Sequence, residues 1–401
     1  MTTTINNEHK KLNVPNLRFP EFQGEWEKCK LGDYGKVVTG NTPPTKDIEN
    51  YENGTYLWAS PADLGIIKSI TETKTMLSAQ GFSKTRTLPK GSVLVTCIGS
   101  TIGKAGMATK EMSTNQQINS IVVNDDNDNE FVYYAIQSAF PRYLSSIAVQ
   151  AVPIISKSAF ELLPNNRPYL QEQKKIGKFL SMLDERIATQ NKIIEDLKKL
   201  KSAIIERHYS HVEKRTACIA DLGEPFNVGS LAKGDLTETG MPCVIYGELF
   251  TTYGETISQI ESHTNKTDGM MLSKKGDLLF PSSTTVDAIS LIAPSVINVD
   301  GAILGGDMFG IHVGSNFNAQ YLSYYFNHIA KRQLAKFAKG STIIHLHYAD
   351  IEKAKLLLPS LEEQNRMAKC LISLDAKINV ENIFISLLNS QKTYLLRQMF
   401  I

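Results

Sequence analysis

Two stretches of this chain are nearly the same helical sentence. "LQEQKKIGKFLSMLDERI" runs from Leu170 to Ile187 and "LEEQNRMAKCLISLDAKI" from Leu361 to Ile378, an offset of 191 residues in a chain of 401. Whatever lies between the copies must leave the first helix and return, so the repeat constrains the architecture before any other feature is considered.

Within each copy apolar residues recur at alternating spacings of three and four, the heptad pattern that keeps one stripe facing a partner helix. The first stripe is Ile176, Leu180, Leu183, Ile187, Gln190, Ile194 and Leu197, continuing through Lys201 and Ile204. The second is Met367, Leu371, Leu374, Ile378, Glu381, Ile385 and Leu388, continuing through Lys392 and Leu395. The two run in step, and a polar residue interrupts each at the same two places. One such stripe would suit any surface helix. Two with matching interruptions predict that the helices pack together, since single polar residues in a seam commonly fix register.

Direction follows from connectivity. Domain termini usually lie close together, so the chain after Tyr209 is expected to build a domain, return near Pro359 and send the second helix back antiparallel to the first. Ser360 stands three residues before Glu363, a capping-box spacing, whereas the first copy offers only Tyr169 at that place.

The segments 20–169 and 213–360 read as relatives with diverged loops. Each opens on a short "LG" stretch, has a lysine-glycine turn into an apolar strand, and then a further strand and an aromatic helix ("EFVYYAIQSAF", "AQYLSYYFNHIAKRQL"). The expected fold class is α+β. Two mixed α/β domains, 20–169 and 213–360, are separated by two long helices, 170–212 and 361–401, which form an antiparallel coiled coil with an internal pseudo-two-fold repeat.

Composition narrows the function by exclusion. With 42% hydrophobic and 21% charged residues the chain is an ordinary globular protein. It shows neither a long apolar run nor an apolar signal core at its start, so a cytoplasmic protein is expected. Cys29, Cys97, Cys218, Cys243 and Cys370 form no CxxC pair, which argues against a disulfide framework or a zinc knuckle. Net charge is +2 and neither globular segment is basic, so tight DNA binding by this chain alone is not expected.

Motifs for chemistry fail one by one. "GSTIGKA", Gly99 to Ala105, has three residues between its glycines instead of four, and Ala105 stands where a phosphate loop needs Ser or Thr. His345 and His347 would share one side of a strand but lack a third metal ligand at a convincing spacing. His208 and His211 suit a helix C-terminus. "NTPPT" lacks the aromatic residue of an amino-methyltransferase motif. No catalytic residue and no metal site is therefore assigned to this chain.

The duplicated helix motif, the opening "VPNLRFPEFQGEWEKCKLGD" and the order variable domain, helix, variable domain, helix resemble the specificity subunit of type I restriction-modification systems. The resemblance covers nearly the whole chain, and it implies a non-catalytic protein. Each variable domain would be a target-recognition domain reading one half of a split, asymmetric site in double-stranded DNA. The helices would set the spacing and dock two modification subunits, adenine methyltransferases that bind S-adenosylmethionine; separate restriction subunits would add translocation and cleavage using ATP and Mg. Helices of about 39 residues extend about 58 Å at 1.5 Å per residue, more than one turn of DNA.

Base edges are read by amide, guanidinium and hydroxyl groups, while lysines mainly hold phosphates. Candidate reading loops in the first domain carry Asn41, Thr42 and Lys46; Ser100, Thr101 and Lys104; and Asn115, Gln116 and Gln117. In the second they carry Ser230 and Lys233; Ser282, Ser283, Thr284 and Thr285; and Lys339, Ser341, Thr342 and His345. Taken singly, each loop reads equally well as a solvated turn. Two other readings remain open: a coiled-coil scaffold whose end domains bind proteins, and a stand-alone DNA-binding regulator.

Overall fold

The computed structural model describes residues 12–65, 67–146 and 154–401. The first residues of the chain, with the expected absence of a signal core, lie outside the described part. Two compact units are present: one takes the chain up to Asn191 together with Ile383–Ile401, the other Lys192–Asn382.

In the first unit a five-stranded sheet has the order Gly35–Thr39, Ile118–Val123, Val93–Thr96, Ala105–Ala108, Ser69–Ile70. All its pairings are antiparallel except the last, Ser69–Ile70 against Ala105–Ala108. The second unit repeats this sheet as Gly223–Asn227, Met308–Val313, Asp277–Pro281, Ser295–Ile297, Thr256–Ile257, again with only the final pair parallel. Central strands such as Val93–Thr96 and Asp277–Pro281 are buried along their whole length, which is why they read as apolar runs without alternation.

Each domain is closed by a ribbon of its first and last strands. Glu27–Lys30 pairs antiparallel with Pro164–Arg167, and Arg215–Cys218 with Lys355–Leu358. Entry and exit are thus adjacent in both domains, so the second helix starts beside the place where the first one ended.

The long helices are Leu170–His211 and Leu361–Met399. Each starts just after a proline, Pro168 or Pro359, and the Ser360 hydroxyl accepts the Glu363 N–H at 3.3 Å, as the capping spacing predicts. They pack together antiparallel: in the first unit Asp184 bonds Lys392 and the Arg186 guanidinium lies 5.1 Å from the Phe384 ring centroid. In the second unit Lys201 bonds Asp375 and His208 bonds Glu363.

The stripes divide their work. Ile176 and Leu180 are buried in the core of the first domain with Phe131, Ile136 and Trp26, and Met367 and Leu371 in that of the second with Tyr324 and Phe326. Leu183 packs against the edge of the first core. Lower down the helices, Gln190, Ile194, Ile378 and Leu388 are buried outside both domain cores, while Ile187, Leu197, Leu374, Glu381 and Ile385 are half-buried. No helix among the described residues is long and apolar enough to cross a membrane.

Candidate nucleic-acid interface

Sheet register places the candidate loops. In the first domain Thr39 pairs with Asn119 and Thr96 with Ile118. The end of the first strand, the end of Val93–Thr96 and the start of Ile118–Val123 therefore lie side by side. Loops 40–46, 97–104 and 115–117 all emerge from this one end of the sheet. Residues scattered over 77 positions of sequence, Asn41 to Gln117, become neighbours.

Hydrogen bonds tie them further. The Thr42 hydroxyl donates to the Gln116 carboxamide oxygen at 2.5 Å, and Asn115 bonds Gln117 through both its Nδ2 and its Oδ1, each at 3.0 Å. Asn41 is committed to the fold: its Nδ2 donates to the Lys84 carbonyl and its Oδ1 accepts the Arg86 N–H. Asn115 is buried, whereas Lys46, Ser100, Lys104 and Gln116 are exposed and Thr101 and Gln117 half-exposed. Cys97, at the foot of the 97–104 loop, is buried, and burial pushes its thiol up to about 12, so it is no nucleophile at neutral pH.

The second domain repeats the layout. Asn227 pairs with Phe309 and Pro281 with Met308, which brings loops 228–233, 282–285 and 305–307 to the same end of its sheet. The 339–345 segment joins them by β-pairing, Ser283 with His345 and Thr284 with Ile344, and Lys339 and His345 exchange both backbone hydrogen bonds. Ser282 and Ser283 are buried; Ser230, Lys233, Thr285, Ser341 and Thr342 are exposed. The exposed Lys339 ammonium meets Asp350 at 2.5 Å. His345 stacks on His347 at 6.1 Å between ring centroids, and no cluster of three metal-ligating side chains exists among the described residues. A cleft of about 910 Å³ opens here, lined by Ser283, Thr284, Thr285 and His345 together with Asp307, Asn327, Lys331, Tyr246 and Glu255.

Both domains are bolted to the helices by side chains that the repeat duplicates. Gln173 accepts the Asp128 N–H at 3.0 Å and donates to the Pro168 carbonyl at 2.9 Å; Gln364, 191 positions later, accepts the Asn318 N–H at 3.0 Å and donates to the Pro359 carbonyl at 2.9 Å. Each glutamine ties the start of an aromatic helix to the start of a long one. Further along, the Tyr134 hydroxyl donates to Asp184 and the Tyr324 hydroxyl to Asp375, both at 2.6 Å. Burial, and then the nearby aspartate, push both phenols well above the ordinary tyrosine range, so they stay neutral donors.

The family described as type I restriction modification DNA specificity domain matches this chain twice, over residues 23–199 and 212–388. The chain belongs to that family. It is a DNA specificity subunit, not one of the catalytic subunits. Among curated relatives it is 25% identical to the type I restriction enzyme MjaVIII specificity subunit of Methanocaldococcus jannaschii, over 91% of this chain and 89% of that one. It is 29% identical to the HindI specificity subunit of Haemophilus influenzae over 44% of this chain and 39% of the relative. Among solved structures, the S subunit of a type I restriction-modification system from M. genitalium superposes with a TM-score of 0.61 at 17% identity, covering 97% of this chain and 99% of that one. Its fold is therefore that of this subunit.

Several cleft residues of the specificity subunit escape a loop-by-loop reading. Asn327 and Lys331 come from the aromatic helix and the turn after it. Asp307 precedes Met308–Val313 as Gln117 precedes Ile118–Val123, so aligning "NQQINSIVV" with "GGDMFGIHV" would have found it.

Proposed function

We propose that the domain built from residues 20–169 reads one half of a bipartite DNA site and the domain built from residues 213–360 reads the other. The observation that carries this is the convergence, in each domain, of every candidate polar loop on one end of one sheet. Exposed Gln116 and Ser100 and half-exposed Thr101 would face base edges in the first half-site, and Thr284, Thr285, Ser341, Thr342 and His345 in the second. Lys46, Lys104, Lys233 and Lys339 would sit on phosphates, setting position without reading sequence. Because the loops differ between the domains, the half-sites differ too.

The helices serve as spacer and dock. At 42 residues the first is about 63 Å long at 1.5 Å per residue. Large apolar side chains stay exposed along both helices, among them Met182 and Leu200 on the first and Val380, Ile383, Leu387 and Tyr394 on the second. Surfaces of this kind mark partner sites, here for two modification subunits that carry S-adenosylmethionine. Restriction subunits using ATP and Mg complete the assembly.

The test is genome-wide adenine methylation in cells with the modification subunit, with and without this chain. A split, asymmetric methylated motif that appears only with the chain is expected. An active methylase and a stable complex with no such motif would refute the reading.

A further inference from the structure

Lys201 and Lys392 are the second of the two polar positions that interrupt the apolar stripes, and neither is a solvated surface lysine. The Lys201 side chain is 8% exposed and that of Lys392 19%. The Lys201 ammonium lies 2.6 Å from Asp375 Oδ1, 3.0 Å from Glu255 Oε1 and 4.8 Å from the Tyr324 ring centroid. The Lys392 ammonium lies 2.6 Å from Asp184 Oδ1 and 5.7 Å from the Tyr134 ring centroid. In both places the tyrosine hydroxyl takes the other carboxylate oxygen, Oδ2, at 2.6 Å.

The three members of each cluster come from three different pieces of chain. The tyrosine belongs to the globular domain, the aspartate to the long helix that follows that domain, and the lysine to the other long helix. Lys201 and Lys392 are 191 positions apart, and so are Asp184 and Asp375.

A leucine at either lysine position would pack in the stripe, and replacing buried ion pairs by apolar groups is often neutral or stabilising. A carboxylate held from two sides instead demands one geometry. Rolling the domain on its helix breaks the tyrosine bond, and shifting the partner helix breaks the lysine bond. The arrangement specifies an attitude of the domain more than it adds stability.

We propose that Lys201 and Lys392 are positioning residues that act crosswise: Lys392, from the second repeat, seats the first recognition domain, and Lys201, from the first repeat, seats the second. The consequence for DNA reading rests on the function proposed above. The seating itself does not.

The test uses the full chain and the methyltransferase complex. Lys392→Met is expected to speed amide exchange in the first domain, around residues 129–140 and 181–188, and leave the second unchanged. In the complex it should reduce discrimination against mismatches in the first half-site by about tenfold, the order of one well-read base pair, with the second half-site still read. Lys201→Met should do the reverse, and Lys→Arg at either position should restore most of the loss by returning a cation. Effects on the uncrossed domain, equal effects on both, or unchanged exchange would overturn the proposal. If a methionine variant does not fold, Asp184→Asn and Asp375→Asn, which weaken the same two junctions, are scored by the same criteria. A wild-type complex without sequence preference would sink the DNA reading alone, and the exchange pattern would still decide the seating.

Discussion

The two domains solve the same seating problem with opposite charges. In the first, Lys68 stands at the edge of the Tyr134–Asp184–Lys392 cluster, bonding Glu130 at 2.7 Å and the Ser181 hydroxyl at 2.8 Å. In the second, the residue just before the matching parallel strand is Glu255, bonding Lys201 at 3.0 Å and His328 at 2.9 Å. Tyrosine, aspartate and lysine are kept while their neighbour changes sign. What must be shared between the domains is therefore the grip on the helices, and what surrounds the grip is free to vary with the loops above it.

The domains also differ in how they are completed. Leu395, Met399 and Phe400 enter the first core, where Phe400 meets Trp26 edge-on at 6.1 Å and Phe131 at 5.4 Å, and the Leu17 N–H donates to the Gln398 carbonyl. The corresponding stretch of the first helix gives the second domain Ile205, with Ile204 and Tyr209 at its edge. Deleting residues 391–401 should break the comparison most severely. Losing several buried large side chains at roughly 2–5 kcal/mol each exceeds what a domain can spare. The first domain should lose its cooperative unfolding transition in calorimetry while the second keeps one; two intact transitions would show that the C-terminal turns are ornamental.

A smaller effect sharpens the likeness. Gln173→Ala and Gln364→Ala should each cost about 1–3 kcal/mol, the penalty for leaving a buried N–H or carbonyl unpaired. The two glutamines share two matching bonds and Gln173 adds a third, donating to the Asn127 carboxamide oxygen at 3.2 Å, so the loss in urea unfolding should be the larger at Gln173, by no more than about 1 kcal/mol. A much larger gap would mean that the repeat preserves sequence without preserving energy.

Acid should separate the domains again. Burial alone would raise the Glu255 carboxyl, but the His328 hydrogen bond and the Lys201 charge prevail and hold it at about 2. A depressed carboxylate contributes stability that is present above its unfolded value, near 4.5, and is lost as pH falls from there toward about 2. The second domain should therefore lose stability over that window, and Glu255→Gln should flatten that part of its pH profile without touching the first domain. A profile identical in wild type and variant would show that Glu255 is not held ionised by its partners.

The grip was partly legible in the sequence and the proposed reading surface only collectively. Duplication exposed the antiparallel helices because polar residues recur at the same two positions of both stripes, and Lys201 and Lys392 stood out as interruptions of an apolar stripe. Their partners could not be seen, since Tyr134 and Asp184 lie 50 residues apart and only packing joins them. The candidate loops were found by residue type, but Asn41 spends its amide on Lys84 and Arg86, a fate decided by register that no local rule reveals. Residues on helices that line the cleft, such as Asn327 and Lys331, carry no turn signature at all.

Lys331 yields the smallest expected effect and the finest distinction between the two ends. It lines the second domain's cleft beside Thr284, Thr285 and His345, whereas Pro141 stands in the corresponding aromatic helix of the first. If it holds a phosphate, Lys331→Ala should weaken binding of the assembled complex uniformly across DNA sequences and lower the slope of log affinity against log salt by about 1. Thr285→Ala, at the same cleft, should leave the salt slope alone and relax preference at one base pair of the second half-site by about 1–3 kcal/mol. Titrations at several salt concentrations against cognate and singly mismatched duplexes separate the two outcomes. If Lys331→Ala changed preference and not slope, the cleft would be read from its floor, with the loops above it holding the backbone, and the roles assigned to lysines and hydroxyls in this domain would have to be exchanged.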